Sequence, residues 1–232
     1  MNSNKSIIRI VQDIYDFNKN KPEGIYLSIN KNNLMKQHAL IIGPKDTPYF
    51  GGFFFFDIIY PEDYPTNSPK ITLLTTEKNV RFNPNLYECG KVCLSILGTW
   101  SGPSWSPVMN IRLVLDSIRS LMCQFPIQNE PGFENIKEND IVSIEYNQYI
   151  IYNTYRLAII EVLRNKFIVV SSLFKKEIEE EFNNNKYKLN DDLLSYKHIF
   201  GNSTVESRIY FMKKTKLNFN SLTDEFNFIF NK

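Results

Sequence analysis

Apolar residues recur at helical spacing from the start of the chain. Ile7, Ile8, Ile10, Val11, Ile14, Tyr15 and Phe17 follow Ser6, a candidate cap, and the pattern fades over residues 18–22, which predicts a first helix. The period then changes to two. Ile25, Leu27 and Ile29 alternate with Tyr26, Ser28 and Asn30, the turn-like pair Asn32-Asn33 follows, and a second apolar-rich run covers residues 34–42 before Gly43-Pro44. The run Phe-Phe-Phe-Phe-Asp-Ile-Ile-Tyr at 53–60 has no polar face, as expected of a strand buried on both sides, and residues 71–75 supply a fourth strand. Together these predict a four-stranded meander. Ser106-Pro107 reads as a helix cap and first-turn proline, and Ile111, Val114, Leu115, Ile118, Leu121 and Met122 form the stripe of the helix that follows. Further helices are predicted over residues 145–166 and 173–182, and the aromatic-rich remainder reads as helical pieces packed on the domain. No linker separates two independent domains. The expected division is a core of residues 1–166 and a packed extension of residues 167–232.

Composition narrows the chemistry. Among 232 residues, 27 Lys and Arg nearly balance 25 Asp and Glu, and the basic residues are scattered, so no electrostatic footprint for nucleic acid exists. No apolar window approaches the length of a bilayer span, so no membrane partner is expected. Three cysteines without a regular spacing fit a reducing compartment, so the expected location is the cytoplasm, with the nucleus as an alternative. Cys89 and Cys93 lack a second ligand pair at zinc spacing, and no metal site is expected.

The chemistry-bearing stretch is Phe-Asn-Pro-Asn-Leu-Tyr-Glu-Cys-Gly-Lys-Val-Cys-Leu at 82–94, followed by Trp105-Ser106-Pro107. It sets a thiol, Cys93, beside a proline turn that carries the amide of Asn85. Here the chain resembles the ubiquitin-conjugating enzymes, whose pattern is His-Pro-Asn, a Cys-Leu eight residues past that Asn, then Trp-Ser-Pro and a helix. Gly43-Pro44 with Tyr49-Phe50-Gly51-Gly52, and Tyr-Pro-Glu-Asp-Tyr-Pro at 60–65 with Pro69-Lys70, add to the resemblance. Three departures stand out. Asn83 replaces the His, Ser68 replaces the first proline of the usual pair, and about four extra residues lie between Cys93 and Trp105. The first and third, with Gly-Lys-Val-Cys-Leu-Ser at 90–95, Gly-Thr-Trp at 98–100 and Asn-Glu-Pro-Gly-Phe at 129–133, are most similar to the C-terminally extended type called Z in animals. The resemblance covers roughly residues 3–166 by element order. It implies an α+β ubiquitin-conjugating fold: the antiparallel meander, an N-terminal helix, a central helix after the active-site loop, and additional C-terminal helices.

The resemblance also implies roles. Cys93 would accept ubiquitin, or a ubiquitin-like protein, from an activating enzyme as a thioester and pass it to a substrate lysine, alone or with a ligase. Asn85 would donate to the tetrahedral oxyanion, with Asn83, Pro84, Leu94 and Asn129 supporting the active-site loop. Glu130 would be the acidic gate that orients and deprotonates the lysine. A free thiol is a few per cent thiolate at neutral pH yet strongly nucleophilic, so exposure and an oxyanion acceptor suffice for attack on an activated thioester. Neither His38 nor His198 sits in a motif that marks a catalytic base, which disfavours a Cys-His hydrolase. Plainer readings stay open: an inert Cys93, an Asn85 that only caps its turn, a solvated Glu130, and a catalytically silent module that binds ubiquitin or a ligase. Cys89 and Cys123 read as non-catalytic. No cofactor is implied, since ATP is used by the activating enzyme. Lys5 and Arg9 on the first helix, Pro65 and Thr66 on the proline-rich loop, and Pro107 and Val108 after Trp105 are the implied surface for the activating enzyme and ligases.

Overall fold

The computed structural model describes residues 2–205 and 214–230. Helix α1 spans Asn2–Lys19 and buries Ile10, Ile14 and Phe17, while Ile8, Val11 and Tyr15 point outward. It starts upstream of Ser6, so Ser6 is no cap; its hydroxyl instead donates to Glu62 O at 2.6 Å and ties the helix to the proline-rich loop. Strands β1 (Ile25–Ser28), β2 (Lys36–Ile42), β3 (Phe53–Ile59) and β4 (Lys70–Leu73) form the antiparallel meander in sequence order.

The register explains the phenylalanine run. Ala39 lies opposite Phe56 and Ile41 opposite Phe54, and these four face the main core. One residue along, Leu40 lies opposite Phe55 and Ile42 opposite Phe53, and these four face a second apolar cluster with Val162, Val170, Phe174 and Ile178. Successive side chains of a strand point to opposite faces, so β3 needs apolar residues at every position only because both faces are covered.

Helix α2 (Ile111–Leu121) packs on the inner face through Ile111, Val114, Leu115 and Ile118. Its cap is Asn110, whose side chain accepts from Leu113 N at 3.0 Å. Ser106 and Pro107 lie four residues upstream in a turn closed by Met109 N donating to Ser106 O, because Arg9 holds this segment by donating to Pro107 O at 2.6 Å and to Met109 O at 2.5 Å.

Helix α3 (Ile141–Asn153) begins at Asp140, whose carboxylate accepts from Val142 N at 2.9 Å. It runs on through a π-helical stretch, Thr154–Ile160, into the short α4 (Glu161–Leu163). The wider turn suits a segment in which Tyr155, Leu157, Ala158, Ile159 and Ile160 are all buried, a load one 3.6-residue stripe cannot carry. The extension then folds as α5 (Ile168–Ser171), α6 (Lys175–Phe200), an antiparallel pair of β5 (Asn202–Val205) and β6 (Thr215–Asn218), and α7 (Phe219–Phe230). The helix expected to end near 182 continues to Phe200, because Leu189 and Leu193 dock into the main core and outweigh the weak helix preference of the asparagine run. Tyr155 donates to Leu189 O at 2.9 Å.

Candidate active site

The eight-residue spacing between Asn85 and Cys93 is the span of a hairpin. Leu86 bridges Val92, Tyr87 N donates to Lys91 O, and Gly90 N donates back to Tyr87 O, so the chain reverses and sets Asn85 beside Cys93. Gly90 has φ +85°, and a Cβ there would fall 2.6 Å from Leu73 O, so the close approach of this loop to β4 demands glycine. Cys93 N donates to Asn85 O at 2.9 Å, and Asn85 Nδ2 donates to Cys93 O at 2.8 Å. Asn85 is 5 % exposed, and its Oδ1 is buried without a partner.

Cys93 itself is 0 % exposed. The reading from sequence required an exposed thiol, and the structure instead buries it. Thr99 Oγ1 accepts from Leu94 N at 3.0 Å and donates to Val92 O at 2.7 Å, folding the following segment back on the two chain neighbours of Cys93. Leu94, Ile96 and Leu97 pack against the main core.

The turn is held from several sides. Asn83, fully buried, accepts from Asn85 N at 2.9 Å and donates to Leu121 O at 2.8 Å and to the Tyr49 hydroxyl at 3.0 Å. Pro84 O receives the guanidinium of Arg81, which lies 3.7 Å over the ring of Tyr87. Asn129 donates to Leu121 O at 3.1 Å. Glu130 is 5 % exposed with Oε2 buried and unpartnered, so it is not a solvated loop acid. Its charge reaches buried Tyr146, whose hydroxyl is raised well above the ordinary phenol range mainly by burial. Burial likewise pushes the Cys123 thiol up. His38 lies on β2 facing Asp57, and His198 is exposed on α6. Among the described residues, no three His, Cys, Asp or Glu side chains come together as metal ligands, and no helix is long and apolar enough to cross a membrane.

The sequence family described as ubiquitin-conjugating enzyme matches residues 9–149, more than half of the chain. The chain belongs to the ubiquitin-conjugating enzyme family. It is 49 % identical over 165 residues to ubiquitin-conjugating enzyme E2 Z of Xenopus tropicalis, covering 71 % of this chain and 52 % of that protein. To E2 Z of Homo sapiens it is 48 % identical over 161 residues, covering 69 % of this chain and 45 % of that protein. A dual E2 ubiquitin-conjugating enzyme/E3 ubiquitin-protein ligase of Homo sapiens is 41 % identical over 167 residues, which cover 68 % of this chain and 3 % of that protein. The chain thus spans about half the length of the E2 Z relatives it matches.

In this member of the family the residues marked for partner contact gather at one end. The Trp105 indole donates to Pro65 O at 2.7 Å, joining the proline-rich loop to the Pro107–Val108 turn, and Arg9 joins that turn to α1. Thr66, Pro107 and Lys5 are exposed, and Val108 is 85 % exposed. Arg9 is largely committed to Asp13 and to the Pro107 and Met109 carbonyls, so its first role is structural. Reading the sequence missed three contributors to the site: Tyr49, Arg81 and Thr99. Tyr49 and Thr99 left signals, in the Tyr-Phe-Gly-Gly and Gly-Thr-Trp motifs, but neither motif says which backbone groups its hydroxyl holds, and Tyr49 touches a turn some thirty residues later.

Proposed function

We propose that the chain is a ubiquitin-conjugating enzyme that carries its modifier on Cys93. The observation that carries this reading is the reciprocal pairing of Cys93 and Asn85, backbone to backbone at 2.9 Å and amide to carbonyl at 2.8 Å. The Cys93 thiolate attacks the carbonyl carbon of the thioester between ubiquitin and the activating enzyme; the activating enzyme's thiolate leaves and takes up a proton. The lysine amine of a substrate then attacks the new thioester carbonyl. The oxygen gains charge, the C–S bond breaks, Cys93 leaves as thiolate, and the nitrogen gives up a proton. The second hydrogen of the Asn85 amide is the donor for the oxyanion, and the Glu130 carboxylate, whose Oε2 has no partner, supplies the acceptor that orients the amine. Because Cys93 is covered in the free chain, docking of a partner uncovers it.

The partners in this reading are ubiquitin or a ubiquitin-like protein, an activating enzyme that uses ATP, a ligase, and lysine-bearing substrates. The three free cysteines support a reducing compartment, the cytoplasm or nucleus. Thr66 offers little apolar area on the proline-rich loop, so ligases that rely on an aromatic anchor there bind weakly. The test separates the half-reactions. Cys93→Ala abolishes the reductant-sensitive adduct, and Asn85→Ala still charges but transfers to lysine about 10²–10³-fold more slowly. Charging of Cys93→Ala, or transfer by Asn85→Ala at the parent rate, overturns the assignment.

A further inference from the structure

Tyr49 is fully buried, and no step of the proposed reaction uses it. Its hydroxyl donates to Phe82 O at 2.6 Å and accepts from Asn83 Nδ2 at 3.0 Å. The other hydrogen of that amide goes to Leu121 O at 2.8 Å, at the last residue of α2, where helical carbonyls lack partners of their own. Asn83 Oδ1 accepts from Asn85 N at 2.9 Å and receives a longer contact of 3.4 Å from Asn129 Nδ2. Both donors and both acceptor sites of one neutral amide are therefore in use. Three elements meet at it: the loop that carries Tyr49, the Asn85 turn, and the end of α2. Burial holds the Tyr49 hydroxyl well above the ordinary phenol range, so it keeps its proton and stays a donor to Phe82 O at any working pH.

We propose that Tyr49 is a positioning residue for transfer to lysine. Acting through Asn83, it fixes the backbone of Asn85 and so aims the Asn85 amide at the thioester carbonyl on Cys93. This rests on the proposed function and deepens it. The pair also explains why asparagine serves at position 83. A neutral imidazole has one donor and one acceptor and cannot satisfy Tyr49, Leu121, Asn85 and Asn129 together. A tether that merely stabilised the fold would slow both half-reactions alike, whereas a tether that aims Asn85 affects the step in which an oxyanion is held.

The test uses the full chain and its Tyr49→Phe, Asn83→Ala, Asn83→His and Tyr49→Phe/Asn83→Ala variants. Charging with ubiquitin is timed first, and discharge of the isolated thioester to free lysine is then followed over a range of lysine concentrations. Tyr49→Phe should charge at the parent rate while its saturated discharge rate falls about 10- to 100-fold, at an unchanged half-saturating lysine concentration. Asn83→Ala should do the same, the double variant should be no slower than the slower single, and Asn83→His should not recover the loss. Discharge at the parent rate, equal losses in charging and discharge, or independent multiplication in the double variant would overturn the proposal. If Tyr49→Phe shows no cooperative thermal transition, Asn83→Ala decides by the same criteria. A parent chain that never charges refutes the proposed function instead.

Discussion

The extension completes the core by covering the outer face of the sheet, and Phe174 is the residue at which this can be measured. This side chain is 2 % exposed and stacks on Phe55 with centroids 6.1 Å apart and planes at 23°, amid Leu40, Ile42, Phe53 and Ile178. Truncation to alanine loses the transfer energy of a buried aromatic ring, leaves a cavity against a rigid sheet, and forfeits a ring pair. Phe→Ala at such sites costs about 3–5 kcal/mol. The low end applies, since Phe174 lies between the short α5 and the start of α6, where the chain can partly close the gap. For a chain of this size each kcal/mol moves the melting temperature by about 2–4 °C, so Phe174→Ala should melt about 6–12 °C below the parent in a calorimetric scan, as one transition. Val169→Ala, in the same segment but 83 % exposed, is the control and should change stability by less than about 0.5 kcal/mol. A shift for Phe174→Ala no larger than that of the control, or two transitions of which only the lower one moves, would refute the claim.

Two further outcomes follow from burial. A neutral alkylating reagent at limiting concentration should modify exposed Cys89 first, then half-buried Cys123, whose thiol is raised by burial, and Cys93 last; peptide mass mapping that finds Cys93 modified as fast as Cys89 would contradict the closed site. His38 is pushed below its ordinary value chiefly by burial, against the pull of Asp57. The unfolded chain therefore takes up this proton first, near pH 6.5, and stability should fall as the pH drops from about 6.5 toward the lower folded value, with no contribution above about pH 7. His38→Gln should flatten urea-midpoint profiles in that window, and an unchanged slope would contradict the assignment.

The meander was legible because its signals are local. Alternation in β1, the two-sided apolar run of β3 and the proline punctuation before β4 each follow from the period-2 geometry of strands. The Asn85–Cys93 spacing was legible as a motif, and the hairpin gives it a geometric cause. What stayed hidden depends on distant contacts. Ser6 and Ser106 look like caps in isolation, yet Glu62 and Arg9 claim those segments, and the true cap residues, Asn110 and Asp140, gave no stronger local signal. The length of α6 is set by Leu189 and Leu193 docking into the core, against a locally unfavourable run of asparagines. Strands β5 and β6 pair across residues outside the described set, so the expectation of helical pieces there failed for part of the tail. The burial of Glu130 and Cys93 is likewise a property of the assembled loops, which no spacing reveals.

Intact and peptide-level mass spectrometry of the full chain, after incubation with ATP, ubiquitin and a panel of activating enzymes, decides whether Cys93 carries the modifier. One added mass of ubiquitin less water is expected, mapped to Cys93 and removed by a thiol reductant. An adduct mapped to Cys89 or Cys123, or no adduct with any activating enzyme on folded and fully reduced chain, would contradict it.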